Sequence, residues 1–297
     1  MKLFLKSSLL LIFCLLVSVN VLWAKDTASQ AKSLVDAYSF KVGPDMRYIS
    51  YKEDSIDIEI DGFMYGVSGE IAYHGISQGK APLMASLSVE FLAGEMDYDG
   101  SYWNGDPVTA DTDDWIFQAR ELLGYDFFVN GNHLITPFAG IAYRYWNDEI
   151  DGAGGYEREI QYWYSPVGVQ TLSRLSDQWT LGLSAEYDIF WAGRVKSHLS
   201  DVYPTANDPS VSQDFGDGYG LRFSAHFIRK FSDRYSMVIE PYIAYWDIDD
   251  SDLAYWDIDD SDLATVKDQK VQSVPVGWVY EPANETLSYG LRVSFGF

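Results

Sequence analysis

Residues 287–297, LSYGLRVSFGF, carry the pattern from which the fold can be predicted. Leucine, tyrosine, valine and phenylalanine occupy the odd positions, while serine, glycine and a single arginine occupy the even ones. Successive side chains of a strand point to opposite faces, so this alternation predicts a β-strand with one apolar and one polar face.

The same period of two recurs along the chain, for example in WTLGLSAEYDIFW at residues 179–191. We count about ten such segments, near 43–54, 62–75, 82–98, 113–128, 133–147, 156–171, 178–195, 217–230, 234–248 and 284–297. Short polar turns alternate with longer connections, which lie near 99–112, 148–155, 196–216 and 249–283. This organisation predicts an all-β chain of about ten antiparallel strands in an up-and-down barrel, with eight or twelve strands as alternatives.

Two architectures accommodate such strands. A soluble sandwich or small barrel buries its apolar face, whereas a transmembrane barrel turns that face to lipid and encloses the polar one. The polar face here carries charges of both signs, which favours a narrow lumen filled by ion pairs. The predicted lumen charge network consists of Glu70, Glu90, Arg120, Arg144, Glu186, Asp188, Arg222, Glu240 and Arg292. Tyrosine and tryptophan recur near strand ends, as in the aromatic girdles of membrane barrels.

The N-terminus predicts export. Lys2 and Lys6 precede an apolar run from Leu9 to Val17, and a small-residue cleavage site falls near Ala24. The only cysteine, Cys14, lies in this run, so disulfides and cysteine-based metal sites are excluded from the mature chain. Removing residues 1–24 takes away two lysines and no carboxylates, and the formal charge moves from −23 to −25. Such acidity argues against binding nucleic acid.

Together these features resemble a Gram-negative outer-membrane β-barrel. The resemblance covers residues 43–297 and places the chain near the omptin-like size class, between the eight-stranded OmpA and opacity type and twelve-stranded barrels. It implies a signal peptide at 1–24, a short periplasmic tail at 25–42 and an outer-membrane location. It also implies contact with lipopolysaccharide and outer-membrane lipid, and recognition by the barrel assembly machinery, for which the terminal Phe297 resembles the signal.

The predicted outer loops are acidic, and one contains an internal duplication. AYWDIDDSDL occurs twice without change, at 244–253 and 254–263. An even insertion preserves strand alternation, and lengthening an exposed loop costs little closure entropy. Carboxylate oxygens can bind Ca²⁺ or Mg²⁺ weakly. The candidate ligands are Asp247, Asp249, Asp250, Asp252, Asp257, Asp259, Asp260 and Asp262. Apart from such cations we expect no cofactor.

The sequence favours a structural or surface-interaction role and assigns no catalytic residue. A narrow porin-like channel is the first alternative, favoured if the lumen charges do not pair. A rim enzyme acting on lipid or peptide is the second, favoured if His198 converges with loop carboxylates. The His198–Ser200 spacing faintly resembles the His-x-Ser of an outer-membrane lipid A deacylase.

Overall fold

The structure, a computed structural model, describes residues 34–53, 58–75, 81–101, 106–152, 154–256 and 277–297. The strands in chain order are β1 (Tyr38–Glu53), β2 (Ile58–His74), β3 (Leu83–Ser101), β4 (Pro107–Tyr125), β5 (Phe127–Asn130), β6 (His133–Ile150), β7 (Glu157–Arg174), β8 (Trp179–Ser197), β9 (Ser210–Gln213), β10 (Gly218–Lys230), β11 (Ser236–Ile248), β12 (Ala254–Trp256), β13 (Gly277–Val279) and β14 (Asn284–Gly296). A 3₁₀ turn covers Leu199–Asp201. Within these ranges no helix is long and apolar enough to cross a membrane.

Ten long strands of the described chain close into one antiparallel barrel. The barrel strands are β1, β2, β3, β4, β6, β7, β8, β10, β11 and β14. Pairing of β8 with β10 and of β14 with β1 completes the circle. The short β5 and β9 lie along β6 and β8, while β12 and β13 form a separate hairpin. The predicted all-β antiparallel barrel of about ten strands is confirmed.

The outer wall of the barrel is apolar. Phe63, Val67 and Leu183 are about half exposed, whereas Met64, on the opposite face of β2, is fully buried. We call the end of the barrel with the long connections the outer end. Aromatic rings contact one another along the wall toward this end, and the ring centroids of Trp115 and Tyr145 lie 4.8 Å apart. A water-soluble protein would not expose so continuous an apolar surface. The wall therefore faces the lipid of an outer membrane, and the alternative of a soluble sandwich is wrong.

The predicted long connection near 99–112 is mostly strand. β3 and β4 stay paired from Leu83 opposite Tyr125 to Ser101 opposite Pro107. The outward positions of this extension are acidic, including Asp97 and Asp111, because they lie in water beyond the aromatic row. The clustered carboxylates led us to predict a loop here, although the alternation of inward and outward residues continues through them.

The first strand begins earlier than the predicted barrel boundary at residue 43. β1 starts at Tyr38, whose ring centroid lies 5.0 Å from that of Tyr73 on β2. Leu34 and Val35, expected in the tail, are buried against Leu134 and Leu172 at the end with the short turns, the periplasmic end. The expected signal peptide lies outside the described residues.

The two copies of the duplicated decapeptide have different structures. In the first copy, Ala244–Trp246 belongs to β11, where Ala244 and Trp246 are buried in the barrel. In the second copy, the same tripeptide forms β12, which pairs with β13 outside the barrel sheet. The rest of the second copy lies outside the described residues. β11 and β14 stay paired from Ser236 opposite Gly296 to Ile248 opposite Asn284, so the barrel register is preserved.

Candidate functional site

The lumen contains a charge cluster around Arg292 of β14. The Arg292 guanidinium lies 2.8 Å from Asp45 Oδ2, 2.8 Å from Glu90 Oε2 and 3.2 Å from Glu240 Oε1. Arg47 completes the cluster, with Nη2 2.5 Å from Glu90 Oε1. Such bonds between ionised groups are the strongest hydrogen bonds that a protein interior offers. Four strands are thereby joined across the lumen.

Tyr242 links two of the same charged groups through its hydroxyl. Its hydroxyl donates to Asp45 Oδ1 at 2.8 Å and accepts from Arg47 Nε at 2.9 Å. Asp45 and Arg47 were missing from the predicted network, although both occupy alternating positions of β1.

The other predicted lumen charges fall into smaller groups. Glu186 pairs with Arg120 and lies 3.7 Å from Arg222 Nε. Asp188 is two residues further along the same strand and is also buried. Nearer the periplasmic end, Glu70 binds Lys41 at 2.7 Å.

Arg144 differs from the rest of the predicted network because its contacts are aromatic. Its guanidinium carbon lies 5.2 Å from the Trp146 ring centroid and 5.8 Å from that of Tyr162. Cation–π attraction is strengthened at such a desolvated position. Arg144 thus marks the boundary between the charged layers and an apolar layer.

The apolar layer fills the lumen toward the outer end. Its buried members include Tyr51, Met64, Trp146, Tyr162, Tyr164, Phe190 and Trp246. The rings of Tyr164 and Trp246 meet edge to face at 4.9 Å, and those of Tyr162 and Phe190 at 5.3 Å. In a narrow barrel, side chains of this size occupy the whole cross-section. The layer therefore lies between the charged layers and the outer end of the barrel.

A second buried ion cluster lies at the outer end of this layer, and no part of it was predicted. Arg158 Nη2 lies 2.8 Å from Asp148 Oδ2, and Nη1 lies 3.0 Å from Glu53 Oε1 and 3.6 Å from Glu281 Oε1. Glu281 precedes β14 and is held 2.9 Å from the Tyr51 hydroxyl. Burial raises the pKa of Glu281 to about 7, although Arg158 opposes that shift.

The periplasmic half of the lumen encloses a cavity of about 380 Å³. Serines and charged side chains line it, among them Ser184, Glu70 and Arg222, together with the buried Leu34 and Val35. The cavity contacts the short-turn residues Ser232 and Tyr235, so it faces the periplasm.

At the outer rim, His198 converges with carboxylates from two elements. Its Nε2 lies 2.7 Å from Glu159 Oε1 on β7, and its Nδ1 lies 3.5 Å from Asp208 Oδ2 in the following connection. Burial alone raises the pKa of Asp208, but hydrogen bonds from Ser200 and the charges of His198 and Lys196 lower it below its usual value. Glu157 lies beside them, and within the described chain Glu157, Glu159 and His198 are the group of three metal-ligating side chains close enough to share an ion.

Two of the aspartates predicted as cation ligands accept hydrogen bonds from the backbone. Asp250 accepts a hydrogen bond from the Ala283 backbone N–H at 2.7 Å, and Asp252 accepts one from Ser212 at 2.6 Å. Asp247 is the penultimate residue of β11, while Asp249 is exposed just beyond the strand. Asp257, Asp259, Asp260 and Asp262 lie outside the described residues, so that cation site stays a prediction.

Solved structures with similar folds are outer-membrane barrels. The protease OmpT from Escherichia coli matches with a TM-score of 0.56 and 9% identity over 88% of this chain and 95% of that chain. The chain has the fold of an outer-membrane β-barrel. The translocator domain of autotransporter NalP from Neisseria meningitidis matches with a TM-score of 0.42 and 7% identity, over 92% and 93% of the two chains. No protein-family model and no curated protein sequence matches this barrel.

Proposed function

We propose that this outer-membrane barrel does not conduct and acts through its acidic outer surface. The observation that carries the proposal is the apolar layer across the lumen. Ile49, Ile60, Leu92 and Ile116 are fully buried around the aromatic rings of that layer. Ions would have to leave water to pass such a layer, which is prohibitively costly.

The pairing of the lumen charges further supports a closed barrel rather than the channel alternative. Arg292, Arg47 and Arg120 each contact at least one carboxylate. Conducting pores instead present charges to water and bind the permeating ion weakly enough to release it. The charged side chains of these layers therefore stabilise the barrel by pairing with one another across the lumen.

The outer surface offers the groups for an external role. Strand extensions beyond the aromatic row present outward carboxylates such as Asp97, Asp99, Asp111 and Asp113. Acidic side chains in this position can contact a cationic partner, or lipopolysaccharide phosphates through divalent cations.

A liposome-swelling experiment tests the closed lumen. Proteoliposomes that contain the folded barrel should swell in an isosmotic sugar no faster than protein-free liposomes, with a general porin as positive control. Swelling at the porin's rate would refute the proposal and favour the channel.

The second alternative, the rim hydrolase, required His198 to converge with loop carboxylates, and His198 does lie beside Asp208. Both ring nitrogens face carboxylates, Glu159 and Asp208, so neither is directed at Ser200. A general base needs a free nitrogen toward its nucleophile or water, and this arrangement does not provide one. Comparing lipid A and peptide cleavage by the wild type and His198→Ala decides the matter, since a hydrolase requires a loss of activity in the variant.

A further inference from the structure

We propose that Glu157, Glu159 and His198 form a binding site for a divalent transition-metal ion, for which Zn²⁺ is the probe. One donor atom from each residue lies within 4.8 Å of the other two. Bonds of about 2.0–2.2 Å from imidazole nitrogen or carboxylate oxygen to Zn²⁺ can join such donors with small rotations of their side chains.

The backbone around the cluster brings the donors together. Glu157 and Glu159 are two residues apart on β7, so their side chains share the outward face. His198 directly follows β8, and its backbone N–H donates to the Glu157 carbonyl at 2.8 Å. The Glu157 N–H in turn donates to Asp201 Oδ2 at 3.2 Å. The connection that carries His198 is thus anchored to the strand that carries both carboxylates.

Neighbouring polar groups orient the proposed ligands. Asp208 faces His198 Nδ1 at 3.5 Å, which leaves Nε2 for a metal on the side of Glu159. Asn147 Nδ2 donates to Glu157 Oε1 at 2.5 Å. Carboxylate–histidine–metal arrangements of this kind hold the ring tautomer and orientation in metalloproteins. Asp208 is therefore a positioning residue and not a ligand.

The donor set selects the class of metal. Imidazole with two carboxylates suits Zn²⁺ and other borderline divalent ions, whereas Ca²⁺ and Mg²⁺ take oxygen ligands. Three protein ligands leave at least one coordination position open toward the surface. Lys196 Nζ lies 3.9 Å from both Glu159 and Asp208, so it partly balances the carboxylates in the metal-free protein. Metal binding must displace the His198–Glu159 hydrogen bond, because both of its atoms become ligands.

The test is isothermal titration of Zn²⁺ into the full-length refolded barrel without a polyhistidine tag. We expect one site per chain, undisturbed by millimolar Ca²⁺. His198→Ala and Glu159→Gln should each weaken binding at least tenfold, and Asp208→Asn should weaken it about 10–100-fold, as outer-shell changes do. The control is His133→Ala, because His133 is exposed on β6 at the periplasmic end and should leave the affinity unchanged.

Several outcomes would overturn the site. Absence of Zn²⁺ binding by the wild type would do so. A loss of Zn²⁺ affinity in His133→Ala equal to that in His198→Ala, or unchanged affinity in His198→Ala, would do so as well. Heat-dependent gel mobility establishes that each variant is folded. As a second readout, Co²⁺ should give visible ligand-field absorption in the wild type and in His133→Ala but not in His198→Ala.

Discussion

Arg292 of the last strand and Asp45 of the first lie directly opposite each other and form a buried ion pair across the seam that closes the barrel. The two residues are register partners in the β1–β14 pairing, and their side chains meet at 2.8 Å. The chain therefore joins its two ends through a charge pair as well as a hydrogen-bonded ladder. Because Arg292 also reaches Glu240 on the neighbouring β11 and Glu90 on β3, the seam pair is tied to strands on both sides of it.

Replacing Arg292 with Met should strongly destabilise the barrel. Removing one partner from a buried ion pair leaves uncompensated carboxylates and costs about 3–5 kcal/mol. Urea unfolding of the refolded Arg292→Met variant, followed by tryptophan fluorescence, should show a lower midpoint than that of the wild type. The midpoint of Arg292→Lys should fall between the two.

Lys52→Met provides the control on the same wall. Lys52 pairs with Glu59 at 2.8 Å, but both side chains are exposed. Such surface pairs contribute about 0–1 kcal/mol. An equal loss of stability in the two variants would show that the seam pair has no special role.

Glu121→Leu should stabilise the protein in a lipid bilayer. Glu121 points outward from β4 and lies opposite Leu87 on β3 and Ile141 on β6, between Trp115 and Tyr125 in the strand. A carboxylate on the lipid face is costly, though by less than the roughly 2–4 kcal/mol that lysine or arginine costs at the bilayer midplane. The unfolding midpoint in phospholipid vesicles should rise.

Asp113→Leu is the matched control, because Asp113 lies on the same face of the same strand but beyond Trp115, in water. It should give no comparable gain. A fall in stability of Glu121→Leu would mean that the carboxylate has a partner within the membrane.

Glu281 should make stability depend on pH near neutrality. Its pKa is raised to about 7 by burial, against Arg158, so the folded state holds a proton that the unfolded state releases at lower pH. The contribution of Glu281 to the free energy of unfolding is fully present below the pKa of this group in the unfolded chain. It is lost as pH rises through about 7, at up to about 1.4 kcal/mol per pH unit. Urea titrations between pH 5 and 8 should show a shallower slope for Glu281→Gln than for the wild type, and parallel slopes would refute this assignment.

Removing the two tryptophans of the apolar layer should open the lumen. Trp146 and Trp246 are buried, and truncating each to Ala costs about 3–5 kcal/mol and leaves a void. The double variant, if still folded by heat-dependent gel mobility, should release small ions from proteoliposomes faster than the wild type. An equally slow release would show that other side chains close the lumen.

The barrel wall could be predicted from the sequence because lipid and lumen impose opposite demands on alternate residues. That signal identified β14 and β8 directly, but the strand was missed where its outward face becomes acidic, as at Asp97 and Asp111 in the β3–β4 extension. Which charges would meet could not be predicted. Arg292 reaches Glu90 only because closure brings β14 and β3 to the same lumen, 202 residues apart in sequence. The contact of His198 with Asp208 likewise depends on how the connection after β8 folds back.

The closed lumen is tested most directly by the conductance of the refolded wild-type barrel in a planar lipid bilayer, with insertion verified and with or without millimolar Ca²⁺. We predict a silent bilayer under both conditions, because Trp146, Tyr164, Phe190 and Trp246 fill the cross-section. Reproducible unitary steps from the wild type would contradict the account and make the charged lumen a conducting path.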